Sequence, residues 1–73
     1  MAKKSGESVY RVTEVIGTST KSWEDAAKTA VETAAGTLRD LRVAEVVKLD
    51  VLLKKGKVQT YRTRLLLSFK YES

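Results

Sequence analysis

Val15-Ile16-Gly17-Thr18-Ser19 is the stretch on which the fold turns. Upstream of it, Val9 to Ile16 is dense in β-branched residues. It sets Tyr10, Val12, Glu14 and Ile16 against Val9, Arg11, Thr13 and Val15, the period-two alternation of a strand. Gly17 reads as the break that ends this strand. Thr20 and Lys21 then lead into Ser22, with Asp25 three residues later in the spacing of a capping box. Glu24 and Asp25 put negative charge into a first turn, where the helix dipole favours it. The pattern predicts a helix beginning near Trp23.

From Trp23 onward the apolar positions are Ala26, Ala27, Ala30, Val31, Ala34, Ala35 and Leu38, spaced i, i+3, i+4, i+7 as in one buried stripe. Glu24, Lys28, Glu32 and Arg39 fall on the opposite side. Alanine lets a helix axis approach a sheet closely while adding little buried area. Gly36 lies within the stripe, where it costs about 1 kcal/mol relative to alanine, and so reads as a tight contact, with a neighbouring subunit as one candidate.

A second strand is expected from Val43 to Leu53, with Val43, Val47, Leu49, Val51 and Leu53 on one face and Ala44, Val46, Lys48, Asp50 and Leu52 on the other. Lys54-Lys55-Gly56-Lys57 is a compact turn. The third strand, Val58 to Tyr71, shows Gln59, Tyr61, Thr63, Leu65, Leu67, Phe69 and Tyr71 on one face and Arg62, Arg64, Leu66, Ser68 and Lys70 on the other. The fold class is therefore α+β, in the order β-α-β-β. A crossover helix makes the first two strands parallel and leaves room for the third between them, giving a three-stranded sheet of order 1-3-2 wrapped on one helix.

One helix cannot cover both faces of that sheet. Val46, Leu52 and Leu66 are expected on an uncovered face, where association with further copies would bury them. Size points the same way, since a single core in a chain of 73 residues supplies only about 3–5 kcal/mol without a staple. The chain has no cysteine for a disulfide. It has no histidine either, so thiolate nucleophiles, imidazole bases and the usual zinc ligand sets are all excluded. No nucleophile–base pair and no phosphate loop with a lysine is present, which argues against an enzyme.

Met1 to Ser8 is small and polar and reads as a frayed arm before a single domain spanning 9–72. It lacks the apolar segment of a secretory signal, and no apolar run approaches the roughly 20 residues of a membrane span, so a cytoplasmic protein with no membrane partner is expected. Fourteen Lys and Arg against nine Asp and Glu leave a formal charge of +5, which suits anionic partners or simple solubility.

Several segments together resemble the dodecin family: Val9-Tyr10-Arg11-Val12 leading to Gly17-Thr18-Ser19, the alanine-rich helix ending Thr37-Leu38-Arg39, Val43-Ala44-Glu45-Val46, and Ser68-Phe69-Lys70. The resemblance covers Val9 to Glu72. It implies twelve subunits in a hollow shell with helices outward and sheets inward, a homododecamer that binds and stores small molecules, most often flavins, without catalysis. In flavin-binding dodecins a tryptophan just after the helix stacks on the isoalloxazine ring, a phenylalanine usually follows it, and a glutamine on the last strand bonds the ring. By position these are Val43, Ala44 and Arg62 here, while Glu45 matches the family. The resemblance thus nominates Val43, Glu45 and Arg62 as the ligand-pocket positions, with FMN or riboflavin as the family cofactor and its two specific contacts replaced. Aromatic stacking is worth about 0.5–1.5 kcal/mol beyond area burial, so its loss weakens flavin binding. A branch of dodecins without this tryptophan is associated with calcium, and the chain is similar to that branch.

Other candidates carry a plainer reading beside the functional one. Trp23, the one indole, heads the helical stripe and reads as a core or subunit-interface anchor. Gly17-Thr18-Ser19 before a helix could cradle an anion, or serve as turn and cap alone. Glu14, Asp40, Glu45 and Asp50 are the oxygen donors calcium prefers, but they lack EF-hand spacing, and symmetry would have to complete the 6–8 oxygens of a site. Arg62 and Arg64 share a face and either attract phosphorylated small molecules or pair across strands with carboxylates. The competing function is a basic β-hairpin that binds nucleic acid through Lys54, Lys55, Lys57, Arg62 and Arg64, with Tyr61 stacking on a base. Tyr61 falls on the apolar face, which assigns it to the core instead.

Overall fold

The computed structural model describes residues 8–70. The N-terminal arm, Ser8 apart, and the expected end of the last strand at Tyr71 lie outside the described residues. The elements are β1 (Tyr10–Ser19), α1 (Trp23–Ala35), β2 (Leu41–Lys54) and β3 (Lys57–Lys70). The sheet order is β1-β3-β2, and β3 runs antiparallel to both neighbours. Strand order, helix start and hairpin turn are those expected from the sequence.

Gly17 does not end β1, which continues through it to Ser19. Its role is close approach: a Cβ built there would lie 2.1 Å from the Ala26 carbonyl oxygen and 2.8 Å from Ala30 Cβ. The helix therefore crosses the strand with backbone nearly touching backbone, which only glycine below and alanines above permit. Ser22 caps the helix by accepting the Asp25 N–H at 3.0 Å. The Asp25 carboxylate does not return the bond. It accepts the Ser19 hydroxyl at 2.7 Å instead, tying the helix N-terminus to the end of β1. Within the described residues of one chain Gly36 makes no tight contact. It is the residue at which the helix stops, with helical angles (φ −70°, ψ −22°) and nothing beyond its own helix within 4 Å.

The core is small. Ala26, Ala30, Leu65 and Leu67 are the buried apolar residues among those described, with Thr63 the buried polar one. Val15, Ala27, Val31, Ala34, Leu38 and Leu41 pack partly buried around them. Apart from Leu38 and Leu41, at the link into β2, they sit where α1 lies over β1 and β3; of the three strands α1 meets β2 least.

Strand β2 carries a correction to the predicted faces. Residues directly opposite in a sheet share a face. Ala44 and Val46 oppose Leu67 and Leu65, whereas Lys48 and Asp50 oppose Arg64 and Arg62, so Val47 is an extra, bulged residue. The bulge inverts the alternation. Ala44, Val46, Leu49 and Val51 lie on the helix side, and Val43, Glu45, Lys48, Asp50 and Leu52 lie on the other, which we call the open face. Val46 is thus not on the open face with Leu52 and Leu66, as the alternation predicted, but beside the helix. At the far end Lys55 and Gly56 take positive φ (53° and 76°), the left-handed pair of a tight two-residue hairpin turn, in which Gly56 carries no strain.

Candidate functional site: the open face of the sheet

Among the described residues no element covers the open face. Reading across β1, β3 and β2, its successive rows are Val12–Ser68–Val43, Glu14–Leu66–Glu45, Ile16–Arg64–Lys48 and Thr18–Arg62–Asp50. Val43, Glu45 and Arg62, the three nominated positions, all point to this face. They do not converge, because Val43 and Arg62 lie six β3 residues apart, about 20 Å along the strand. Val43 is 52% exposed and offers an aliphatic surface.

Charge dominates the middle rows. Arg62 grips Asp50 through two bonds, Nε to Oδ1 at 2.7 Å and a terminal nitrogen to Oδ2 at 3.1 Å, the planar fork that arginine makes with carboxylates. The hydrogen bond from Arg62, assisted by its charge and by those of Lys48 and Arg64, holds the Asp50 carboxyl below the usual carboxylate range. Arg64 reaches diagonally to Glu14 at 3.1 Å. Cross-strand pairing with carboxylates is therefore the state of both arginines, by a two-bond fork for Arg62 and a single bond for Arg64. Asp40 is likewise engaged, by Arg42 at 2.8 Å. Glu45 makes no hydrogen bond or ion pair among the described residues.

Asp50 also joins the two faces. Its side chain works on the open face, while its carbonyl oxygen accepts the Trp23 indole N–H at 3.0 Å from the helix side. Trp23 meets Tyr61 edge to face, centroids 5.1 Å apart, and its own carbonyl accepts the Thr63 hydroxyl at 2.9 Å. Trp23 is an anchor of the helix N-terminus, and Tyr61 is held against it rather than free to stack on a base. Ser19, in the Gly17-Thr18-Ser19 segment, spends its hydroxyl on Asp25 and the Lys21 N–H, which is turn and cap chemistry.

Sequence reasoning had Asp50 only as a generic oxygen donor. Its exact opposition to Arg62 depends on the bulge at Val47, and no local pattern announces that bulge. Three of the four candidate calcium donors are bound to arginines, and among the described residues no three acidic side chains gather closely enough to hold an ion. One chain does not fit a calcium ion, which takes 6–8 oxygens. No helix among the described residues is long and apolar enough to cross a membrane.

The model of the dodecin family matches residues 9–72. The chain belongs to the dodecin family. Calcium dodecin of Mycobacterium tuberculosis is 46% identical over 63 residues, covering 86% of this chain and 89% of that protein. A crystal structure of calcium dodecin from the same organism, described as a calcium-chelating antigen with a calcium-binding site, superposes with a TM-score of 0.78 at 47% identity, covering 89% and 93% of the two chains. Dodecin from Streptomyces coelicolor superposes with a TM-score of 0.87 at 37% identity over 93% and 97%. Dodecins are non-catalytic binding proteins, and the β-α-β-β dodecin fold expected from the sequence is the fold observed. The competing nucleic-acid hairpin gains no support from these likenesses or from the paired arginines.

Proposed function

We propose that this dodecin is a non-catalytic homododecameric shell that sequesters a small ligand or ion other than a stacked flavin. The observation that carries this reading is the composition of the open face. Val43 stands where the family resemblance puts the flavin-stacking tryptophan, and Arg62, at the ring-bonding position, is committed to Asp50 by two bonds. A flavin would find no π-surface and would have to break a charge-assisted fork to reach a polar partner.

Calcium is the ion named for the Mycobacterium tuberculosis relative. The donors of a single chain fall short of a calcium shell, so an ion in this protein is held between subunits, and Glu45 is the open-face carboxylate free to serve it. The shell works in the cytoplasm. Its stability comes from the assembly, because the core of one chain is small.

Titrating FMN or riboflavin into the purified protein while following flavin fluorescence tests the reading. The expected result is no submicromolar quenching, with a gain in affinity for Val43→Trp. Submicromolar quenching by the unaltered protein contradicts it. Calorimetric titration of chelator-treated protein with calcium gives the complementary readout, and mutation of Glu45 to Gln should weaken any uptake found.

A further inference from the structure

Asp50 is fixed from both sides of the sheet. On the helix side its carbonyl oxygen accepts the Trp23 indole N–H at 3.0 Å, and the indole is held edge to face by Tyr61, the residue opposite Val51. On the open face its carboxylate takes Arg62 Nε at 2.7 Å and a terminal nitrogen at 3.1 Å. The bulge supplies the register. Counting straight on from Val46 opposite Leu65, Leu49 would stand opposite Arg62; the extra residue at Val47 puts Asp50 there instead.

The neighbourhood of this fork is cationic. In the next row Lys48 stands directly opposite Arg64, which spends a single bond on Glu14, and Lys48 itself has no ion pair among the described residues. Arg62, Arg64 and Lys48 are together the kind of cluster that takes a phosphate, a sulfate or a carboxylate. Asp50 is the anion already seated in it. Its carboxylate is held ionised by the bonds from Arg62 first and by the charges of Lys48 and Arg64 as well. An anion from solution must compete with a carboxylate tethered at that place, which acts at a high effective concentration. Lys48, left over, offers a point charge without the planar fork that would orient an anion.

We infer that Asp50 is a specificity-determining residue, which by occupying Arg62 closes the open face to anionic ligands and leaves it to cations and uncharged molecules. The inference rests on the ligand-binding reading above and adds to it the charge of the ligand. The Trp23 bond and the bulge act through Asp50, by keeping its carboxylate at the guanidinium.

Sulfate is the probe, titrated calorimetrically into the assembled full-length chain. The unaltered protein should take it up weakly. Asp50→Asn keeps the side-chain shape and the backbone carbonyl that Trp23 uses, and should bind sulfate at least about tenfold more tightly, as expected when one charge-assisted bond passes to the ligand. Asp50→Glu, which restores a carboxylate, should lack most of that gain, and so should Asp50→Asn combined with Arg62→Gln. Glu24→Gln makes the same change of charge on the exposed first turn of α1 and is the reference; at about 0.15 M salt, where distant surface charges are screened, it should gain less than about twofold. Equal gains from Asp50→Asn and Glu24→Gln overturn the inference, because net charge alone then sets anion affinity. Should Asp50→Asn fail to assemble, the unaltered chain decides: a sulfate affinity that falls at least about tenfold in Arg62→Gln shows Arg62 open to anions and overturns the inference, whereas no fall supports it. Both failures leave the flavin reading standing, since that reading is contradicted by submicromolar flavin quenching and not by sulfate.

Discussion

Beneath α1 the chain packs backbone against backbone, with Gly17 under Ala26 and Ala30 and with Leu65 and Leu67 fully buried; along β2 it leaves Val43, Val46, Leu49 and Leu52 half exposed on both faces. One region is finished within a single chain and the other is not. Small residues stand where one helix must close on one strand, and large aliphatic residues stand where no described element arrives. The contrast places the closed core between α1, β1 and β3, and much of the exposed aliphatic surface along β2.

Truncating the finished half should cost most. Leu67→Ala, at a site with no exposure, is expected to lower stability by about 2–5 kcal/mol, read from denaturant midpoints at fixed protein concentration. A loss no larger than that of an exposed β2 residue such as Val43→Ala would erase the distinction between the regions. Gly17→Ala sharpens it from the opposite direction by adding a single methyl. The carbonyl it meets at 2.1 Å belongs to helix backbone and cannot swing away, so α1 must lift, at a cost of about 1–3 kcal/mol. The change should also move the Trp23 fluorescence, because the same helix holds the indole against Tyr61. A neutral Gly17→Ala would mean that the helix does not ride on this strand.

The open face should respond through charge and binding rather than through packing. Asp50 is held below its ordinary value of 3.8, chiefly by the bonds from Arg62. Its contribution is therefore present above that value and lost as pH falls through the depressed folded-state value. Asp50→Asn should be less stable than the unaltered chain at neutral pH, with the gap closing in acid and shrinking in high salt because the pair is half exposed. Denaturation midpoints across that pH range check it, and a gap independent of pH would contradict it. Val43→Trp, which restores the stacking surface, should change stability least of all and be visible mainly as tighter flavin binding.

Much of this contrast was legible in the sequence, for identifiable reasons. The alternation of Tyr10 to Ile16 and of Tyr61 to Phe69, the alanine stripe from Ala26 to Ala34 and the Ser22 cap are local patterns, and the structure keeps them. What escaped depended on contacts between distant segments. Gly17 looks like a break because glycine is a poor strand former, whereas here it is retained for the helix axis above it. Gly36, read as a contact, is where the helix ends and meets nothing outside that helix among the described residues. The run Val46-Val47 conceals a bulge, since two valines satisfy either phase of the alternation, and that one extra residue decides which side of β2 is charged. For the same reason the Asp50–Arg62 fork could be stated from sequence only as one of two uses for Arg62. The ligand positions Val43 and Glu45 came from likeness to a family rather than from any chemistry the residues announce by themselves.

Native mass spectrometry of the purified full-length chain, followed by gentle dissociation to release whatever travels with it, tests the central claim most directly. A homododecamer of 8.1 kDa chains, about 97 kDa, carrying no flavin mass, is the result the account predicts. A monomer or dimer, or a 97 kDa shell that releases stoichiometric flavin, would contradict it.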